Sequence, residues 1–350
     1  VLTRPEEGAA PAAPGEAPAP VDLEAYWRST DFRAECVAWI SAALARHGRQ
    51  LRGAPTEHRV RFWSAVFTVP TDGGTVWFKA TNPGQGFEAP LLARLAALLP
   101  GRVLAPLAVD AGRGWLLMPD GGAVLAAREP VALEDWGTLL AECAGMQIAL
   151  TGTDLTSTGL PILLPGDAEG YVAGLVAALA GLPRTHPQHL DAGAAQRILR
   201  ALPAAARGFA ALEDTGIAPT LQPNDVSASN AFVGPAGGPA PFRLFDLGDA
   251  FWSHPFAAFQ VPVRMATGSW PHAPAADDPV RARLEEAYLR AWSHVAPVAE
   301  LRPVLVAADR LASLHRCESW RRLLARTTPA GAGTSPPPLV GWLEEAVGLR

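Results

Sequence analysis

"LQPNDVSASNAFV" occupies residues 221–233, and "LFDLGDAFW" follows at 244–252. In the first, Asp225 and Asn230 lie five apart, immediately before an apolar stretch that reads as a strand. In the second, Asp246 and Asp249 come just after the next strand. Between the strands, "PAGGPA" reads as a hairpin loop. A hairpin would bring Asp225, Asn230 and Asp246 together at one end. Asn230 and Asp246 are hard oxygen ligands of the kind Mg²⁺ takes alongside water and phosphate. Asp225 is then placed to accept or orient a hydroxyl proton. Taken singly, each acid has a plainer reading as a turn or cap residue, and Asp249 as the cap of a helix near "AFWSHPF". Their order along the chain favours a site.

Working outward, "TVWFKAT" at 75–81 holds Lys79. It is the only lysine in a chain of 29 Lys plus Arg, so 28 are arginine. Arginine-rich usage alone would leave a stray lysine. A narrow slot that sets one point charge against phosphate oxygens, with a carboxylate behind it, also prefers lysine to the wider guanidinium. Glu88, at the start of the helical pattern "EAPLLARLAALLP" (88–100), supplies that carboxylate after the glycine-containing loop "TNPGQGF".

Elements are read from periodicity. A helix is expected over 29–51 from a Ser29 or Thr30 cap. A hairpin at 58–80 turns at Asp72-Gly73-Gly74, and a second at 102–120 turns at 111–113. Helices follow near 131–150, 168–181, 190–208, 280–296, 301–327 and 337–347. The expected fold is α+β: a small β-rich lobe at 23–118 and a larger, mostly helical lobe at 119–350. They are preceded by an Ala/Pro-rich disordered tail at 1–22.

Composition narrows the function classes. The net charge of −5 and pI of about 5.9 argue against nucleic acid as a partner. Cys36, Cys143 and Cys317 are far apart and form neither a metal spacing nor a disulfide framework, which points to a cytoplasmic protein. No His-Glu-x-x-His pattern suggests a zinc hydrolase. The longest nearly apolar run, 171–182, is too short to cross a membrane.

With "WSAVFTVP…VWFKA", "GWLLMPDGG", "NDVSASNAFV" and "LFDLGDAFWSHPF" in this order, the chain resembles the aminoglycoside phosphotransferase and choline kinase branch of the protein-kinase-like fold. The resemblance runs from about residue 25 to 325. It implies that Lys79 holds nucleotide phosphates and Glu88 orients it. The segment Met118-Pro119-Asp120 would be a hinge whose backbone reads the base. Asp225 would be the catalytic aspartate, and Asn230 and Asp246 the Mg²⁺ ligands. Asp249 would support the metal loop or face substrate. The implied reaction moves the γ-phosphoryl of ATP or GTP to a hydroxyl of a small molecule such as an antibiotic, amino alcohol or sugar. A Ser/Thr kinase for a precursor peptide, or a non-catalytic binding protein, are the alternatives.

Two departures stand out. The family usually has His two residues before the catalytic Asp; here it is Pro223, which offers no side-chain donor. The nucleotide-covering hairpin lacks a glycine-rich loop, and "RVRFWSAVF" offers Ser64 as a phosphate donor instead. The remaining residues take structural readings. Trp63, Trp77, Trp115, Trp136 and Trp292 are packing residues. His254 braces the loop after Asp249, Gln147 packs under the catalytic loop, and Asp277-Asp278 caps a helix. The basic run 310–326 reads as a solvated face, with the lining of an acidic-substrate cleft as the alternative.

Overall fold

The computed structural model describes residues 20–329, 331–332 and 339–350. The expected tail lies outside them, except for its last three residues. Asp22 caps the first helix, α1 (Leu23–Arg28), through its side chain, and Val21 bridges Thr327. The next helix, α2 (Thr30–Ala45), starts at the expected cap, where Ser29 Oγ accepts from Phe32 N at 3.2 Å.

Five antiparallel strands follow in the order β1-β2-β3-β5-β4. They are β1 (Thr56–Arg61), β2 (Ser64–Thr71), β3 (Gly74–Thr81), β4 (Ala108–Asp110) and β5 (Trp115–Pro119). The stretch read as one arm of a hairpin at 58–70 is itself a hairpin that turns at Phe62-Trp63. Helix α3 (Glu88–Leu98) crosses between β3 and β4. One sheet face buries Val60, Ala65, Phe67, Val76 and Phe78 with Phe32 and Ile40 of α2. The alternate residues, including Lys79, face the other way.

The second apolar cluster extends from Phe87 to Val347. It gathers α3 with α4 (Leu133–Ala149), α5 (Ala168–Ala180), α6 (Ala192–Glu213), α7 (Gln260–Ala266), α8 (Pro279–Arg290), α9 (Val298–Leu301), α10 (Leu305–Leu324) and α11 (Leu339–Ala346). Asp278 caps α8, as the acidic pair at 277–278 predicts. Two short antiparallel pairs carry the polar motifs. One joins β6 (Thr220–Gln222) to β9 (Phe251–Ser253), and the other joins β7 (Ala231–Val233) to β8 (Phe242–Leu244). The segment after Asp249 is therefore strand β9 rather than a helix for Asp249 to cap.

Candidate active site between the lobes

Alternation along β3 turns Phe78 and Ala80 into the α2 core and Lys79 into the space between the lobes. Lys79 Nζ lies 2.8 Å from Glu88 Oε1 and 2.7 Å from Asp246 Oδ1. The lysine and glutamate side chains are 7% and 1% exposed, whereas Asp246 is 35% exposed. Burial pulls the lysine's pKa down, but Asp246 and Glu88 together outweigh it and hold it raised. Burial pushes Glu88 up to about 7 against the pull of Lys79. It also pushes Asp246 up, but Lys79 prevails, with a smaller contribution from Arg59, and the carboxyl is held low. Asp246 has φ +58 and Asn224 φ +64, left-handed conformations that Asp and Asn tolerate better than other side chains.

The 221–233 motif turns the chain sharply after β6. Asn230 Nδ2 donates to Asp225 Oδ2 at 3.0 Å and to the Asp225 carbonyl at 3.1 Å. This fixes the amide so that its nitrogen serves Asp225. Among the described residues, neither Asn230 Oδ1 nor Asp246 Oδ2 accepts a hydrogen bond, and both residues line one cleft. No group of three or more His, Cys, Asp or Glu is placed to hold a metal among the described residues. These two free oxygens therefore fit a Mg²⁺ that draws its other ligands from water and phosphate.

The cleft has a volume of about 500 Å³, within the range of small-molecule sites. Trp77, Met118, Phe232 and Phe245 contribute walls, the two phenylalanine rings stacking at 4.2 Å. Trp77, read as packing, thus borders the cleft. Met118 and Asp120 also line it, but the Asp120 carboxylate is spent on its own turn, accepting from Gly122 N at 3.0 Å. A side chain at Gly121 would meet the Phe232 ring at 2.5 Å, so the chain can cross there only as glycine.

Ser64 is not brought to the cleft lining. It is 2% exposed, with its hydroxyl buried and unpartnered. At the adjacent hairpin tip Phe62 and Trp63 pack on Trp320 of α10 at 6.2 Å each. Asn82 secures the tip by donating from Nδ2 to the Phe62 carbonyl at 2.9 Å.

Helix α10 supplies what sequence reasoning missed. Its basic run is no solvated face: His315, Arg316 and Ser319 are buried. Arg316 donates to Asp225 Oδ1 at 2.8 Å and to Asp249 Oδ2 at 3.4 Å. Burial raises the Asp225 pKa, against the pull of Arg316. Asp249 also accepts from Gln85 Nε2 at 2.8 Å and from Ser319 Oγ, so its oxygens are engaged with protein. His315 stacks on Phe251 at 4.6 Å, donates to the Leu163 carbonyl at 3.2 Å and accepts from Gln222 Nε2 at 3.4 Å. The loop that Pro223 cannot brace is therefore held from α10. A signal was present: apolar Leu311, Leu314 and Leu323 do not confine themselves to one stripe, as expected of a helix buried on several sides.

Gln147 holds the base of the same loop. Its Nε2 donates to the carbonyls of Leu221 and Pro255 at 3.1 and 3.0 Å, and its Oε1 accepts from Tyr288 OH at 2.7 Å. His254 caps the turn after β9, with Nδ1 accepting from Phe256 N at 3.3 Å.

No protein-family model matches the chain, and no curated protein matches it. Solved structures do. An amicoumacin kinase in complex with AMP-PNP, Ca²⁺ and Ami superposes with a TM-score of 0.59 at 10% identity, over 93% of this chain and 96% of that one. Choline kinase from Streptococcus pneumoniae gives 0.58 at 11% identity, over 91% and 98%. Plasmodium vivax ethanolamine kinase gives 0.54 at 11% identity, over 84% and 81%. The chain has the fold of these kinases, as the sequence resemblance implied.

Proposed function

We propose that the protein is a phosphotransferase that moves the γ-phosphoryl of ATP or GTP to a hydroxyl of a small molecule, with Mg²⁺ as cofactor. The observation that carries this reading is Lys79 held at 2.8 and 2.7 Å between Glu88 and Asp246, beside a cleft that Asn230 also lines. Such a site needs little covalent chemistry from the protein; it works by positioning and by offsetting charge.

Lys79 would contact the nucleotide phosphates while Glu88 keeps its ammonium aimed. Asn230 and Asp246 would hold the metal, which when bound offsets phosphate charge. The acceptor hydroxyl oxygen forms the new bond to the γ-phosphorus, and the bond from that phosphorus to the β–γ bridging oxygen breaks. The hydroxyl proton passes to Asp225, and the nucleoside diphosphate leaves with the bridging electrons. Asp225 is held from both sides by Arg316 and Asn230, and its 30% exposed side chain remains open to an acceptor.

A small acceptor is favoured over a peptide. The neighbours are kinases of amicoumacin, choline and ethanolamine. The bracing of the Asp225 loop by α10 supports turnover over a purely binding role. Three buried free cysteines suit a cytoplasmic protein, and no helix among the described residues is long and apolar enough to cross a membrane.

The test is transfer of labelled γ-phosphate from ATP and from GTP to a panel of hydroxyl-bearing antibiotics, amino alcohols and sugars. The reading expects a labelled product with at least one of them. It also expects Asp225→Asn to lose about a hundredfold or more of that rate while nucleotide still binds. Undiminished transfer by Asp225→Asn would remove its assigned role.

A further inference from the structure

Strand β1 changes face partway along. Glu57 pairs in register with Phe67 and sits on the α1/α2 side, where its carboxylate meets Arg28 at 3.5 Å and Arg33 at 2.9 Å. Strict alternation would put Arg59 on that same side. A bulge between Glu57 and Arg59 absorbs His58 and prevents it. Arg59 instead pairs with Val66, and Val66 pairs with Lys79. The three residues form one cross-strand row on the cleft face, with Arg59 about 10 Å (two strand spacings) from Lys79.

Arg59 lines the cleft together with Lys79, Asn230 and Asp246, and its side chain is exposed. It makes no ion pair and no side-chain hydrogen bond among the described residues, whereas the nearby Glu57 is shared by two other arginines. An arginine steered by a bulge onto a cleft face, close enough to Asp246 to act on its charge but not directly paired with it, has its donors available to a ligand.

We infer that Arg59 is a second phosphate-binding cation, closing over the nucleotide's phosphate chain from β1 while Lys79 holds it from β3. This rests on the nucleotide reading of the cleft and adds a specific demand. The ligand must carry its negative charge beyond the nucleoside, so Arg59 acts on phosphate and not on base or ribose.

The experiment is calorimetric titration of the full chain with ATP and GTP in the presence of Mg²⁺, and with adenosine and guanosine, for the parent, Arg59→Gln and Arg59→Lys. The expected result is about a tenfold weakening of the preferred triphosphate in Arg59→Gln, as for one charge-assisted contact at an exposed site. Nucleoside binding should be unchanged, Arg59→Lys should recover part of the loss, and the parent-to-variant gap should narrow as salt rises. Equal weakening of nucleoside and triphosphate would assign Arg59 to the architecture of the strand and overturn the inference. So would unchanged triphosphate affinity, in which case the nucleotide reading stands. A parent that binds no triphosphate removes that reading, and the role of Arg59 with it.

Discussion

Lys79 faces two carboxylates with one charge, and Glu88 Oε2 is buried without a partner. This carboxylate excess suits a cation such as a metal ion better than it suits a closed structural ion pair. It also gives a physical reason for the single lysine, since a guanidinium has a different width and donor geometry in the same slot. Lys79→Arg should therefore lower transfer rate more than it lowers stability, measured by comparing turnover with urea unfolding. Arg316 is the corresponding cation of the Asp225 side. Arg316→Ala leaves two carboxylates without their buried partner and should destabilise the fold by about 3 kcal/mol in urea unfolding, with Arg316→Lys recovering part of it. That Lys79 would meet Glu88, and Asp225 would meet Asn230, was legible because their order along the chain is informative. Arg316 was not, because its meaning depends on which buried surface α10 presents, and the burial of Ser64 is a tertiary effect that local sequence does not carry.

Among the elements, α10 and the loop at 82–87 clamp the lobes together. Asn82 donates to the Leu323 carbonyl and to Thr327 Oγ1, both at 3.2 Å, and Gln85 reaches Asp249. A Cβ at Gly84 would stand 2.4 Å from the Arg322 carbonyl oxygen. Gly84→Ala should force the loop off α10, costing about 1–3 kcal/mol in chemical unfolding and lowering nucleotide affinity. Two buried histidines, His315 beside the Asp225 loop and His254 at the turn after β9, set a pH dependence. Burial lowers His254 and His315 from 6.5 to about 3 each. Between about 3 and 6.5 the unfolded chain binds protons at these positions that the folded chain does not. Each histidine then removes about 1.4 kcal/mol of stability per pH unit on acidification below 6.5. Glu88, raised to about 7, works the other way, because there the folded state binds the extra proton. The difference between parent and His315→Gln isolates one histidine: between pH 6 and 5 the variant's stability should fall by about 1.4 kcal/mol less. An identical slope in chemical unfolding would mean that His315 is protonated in the native protein. At this scale the long helices were legible from periodicity. The Phe62-Trp63 turn carried no Gly, Asn or Asp to announce it, and the three-residue strands β6 and β9 are too short to show alternation.

The molecule as a whole has two apolar cores, with the candidate site where they meet. Helix α3 joins the larger core through Leu91, Leu92 and Leu95 while its first residue, Glu88, reaches Lys79 on the sheet. The lysine's position is thereby tied to both cores. The sequence announced this architecture through the passage from strand-rich to helical patterning near residue 120. It did not announce the acceptor. The central claim is a metal-assisted nucleotide site built on Lys79. Calorimetric titration of ATP and GTP, with and without Mg²⁺, into the parent and Lys79→Ala tests it most directly. The account predicts magnesium-dependent binding of at least one nucleotide, weakened about tenfold or more in Lys79→Ala. Absence of binding at millimolar nucleotide, or equal affinity in the two proteins, would contradict it.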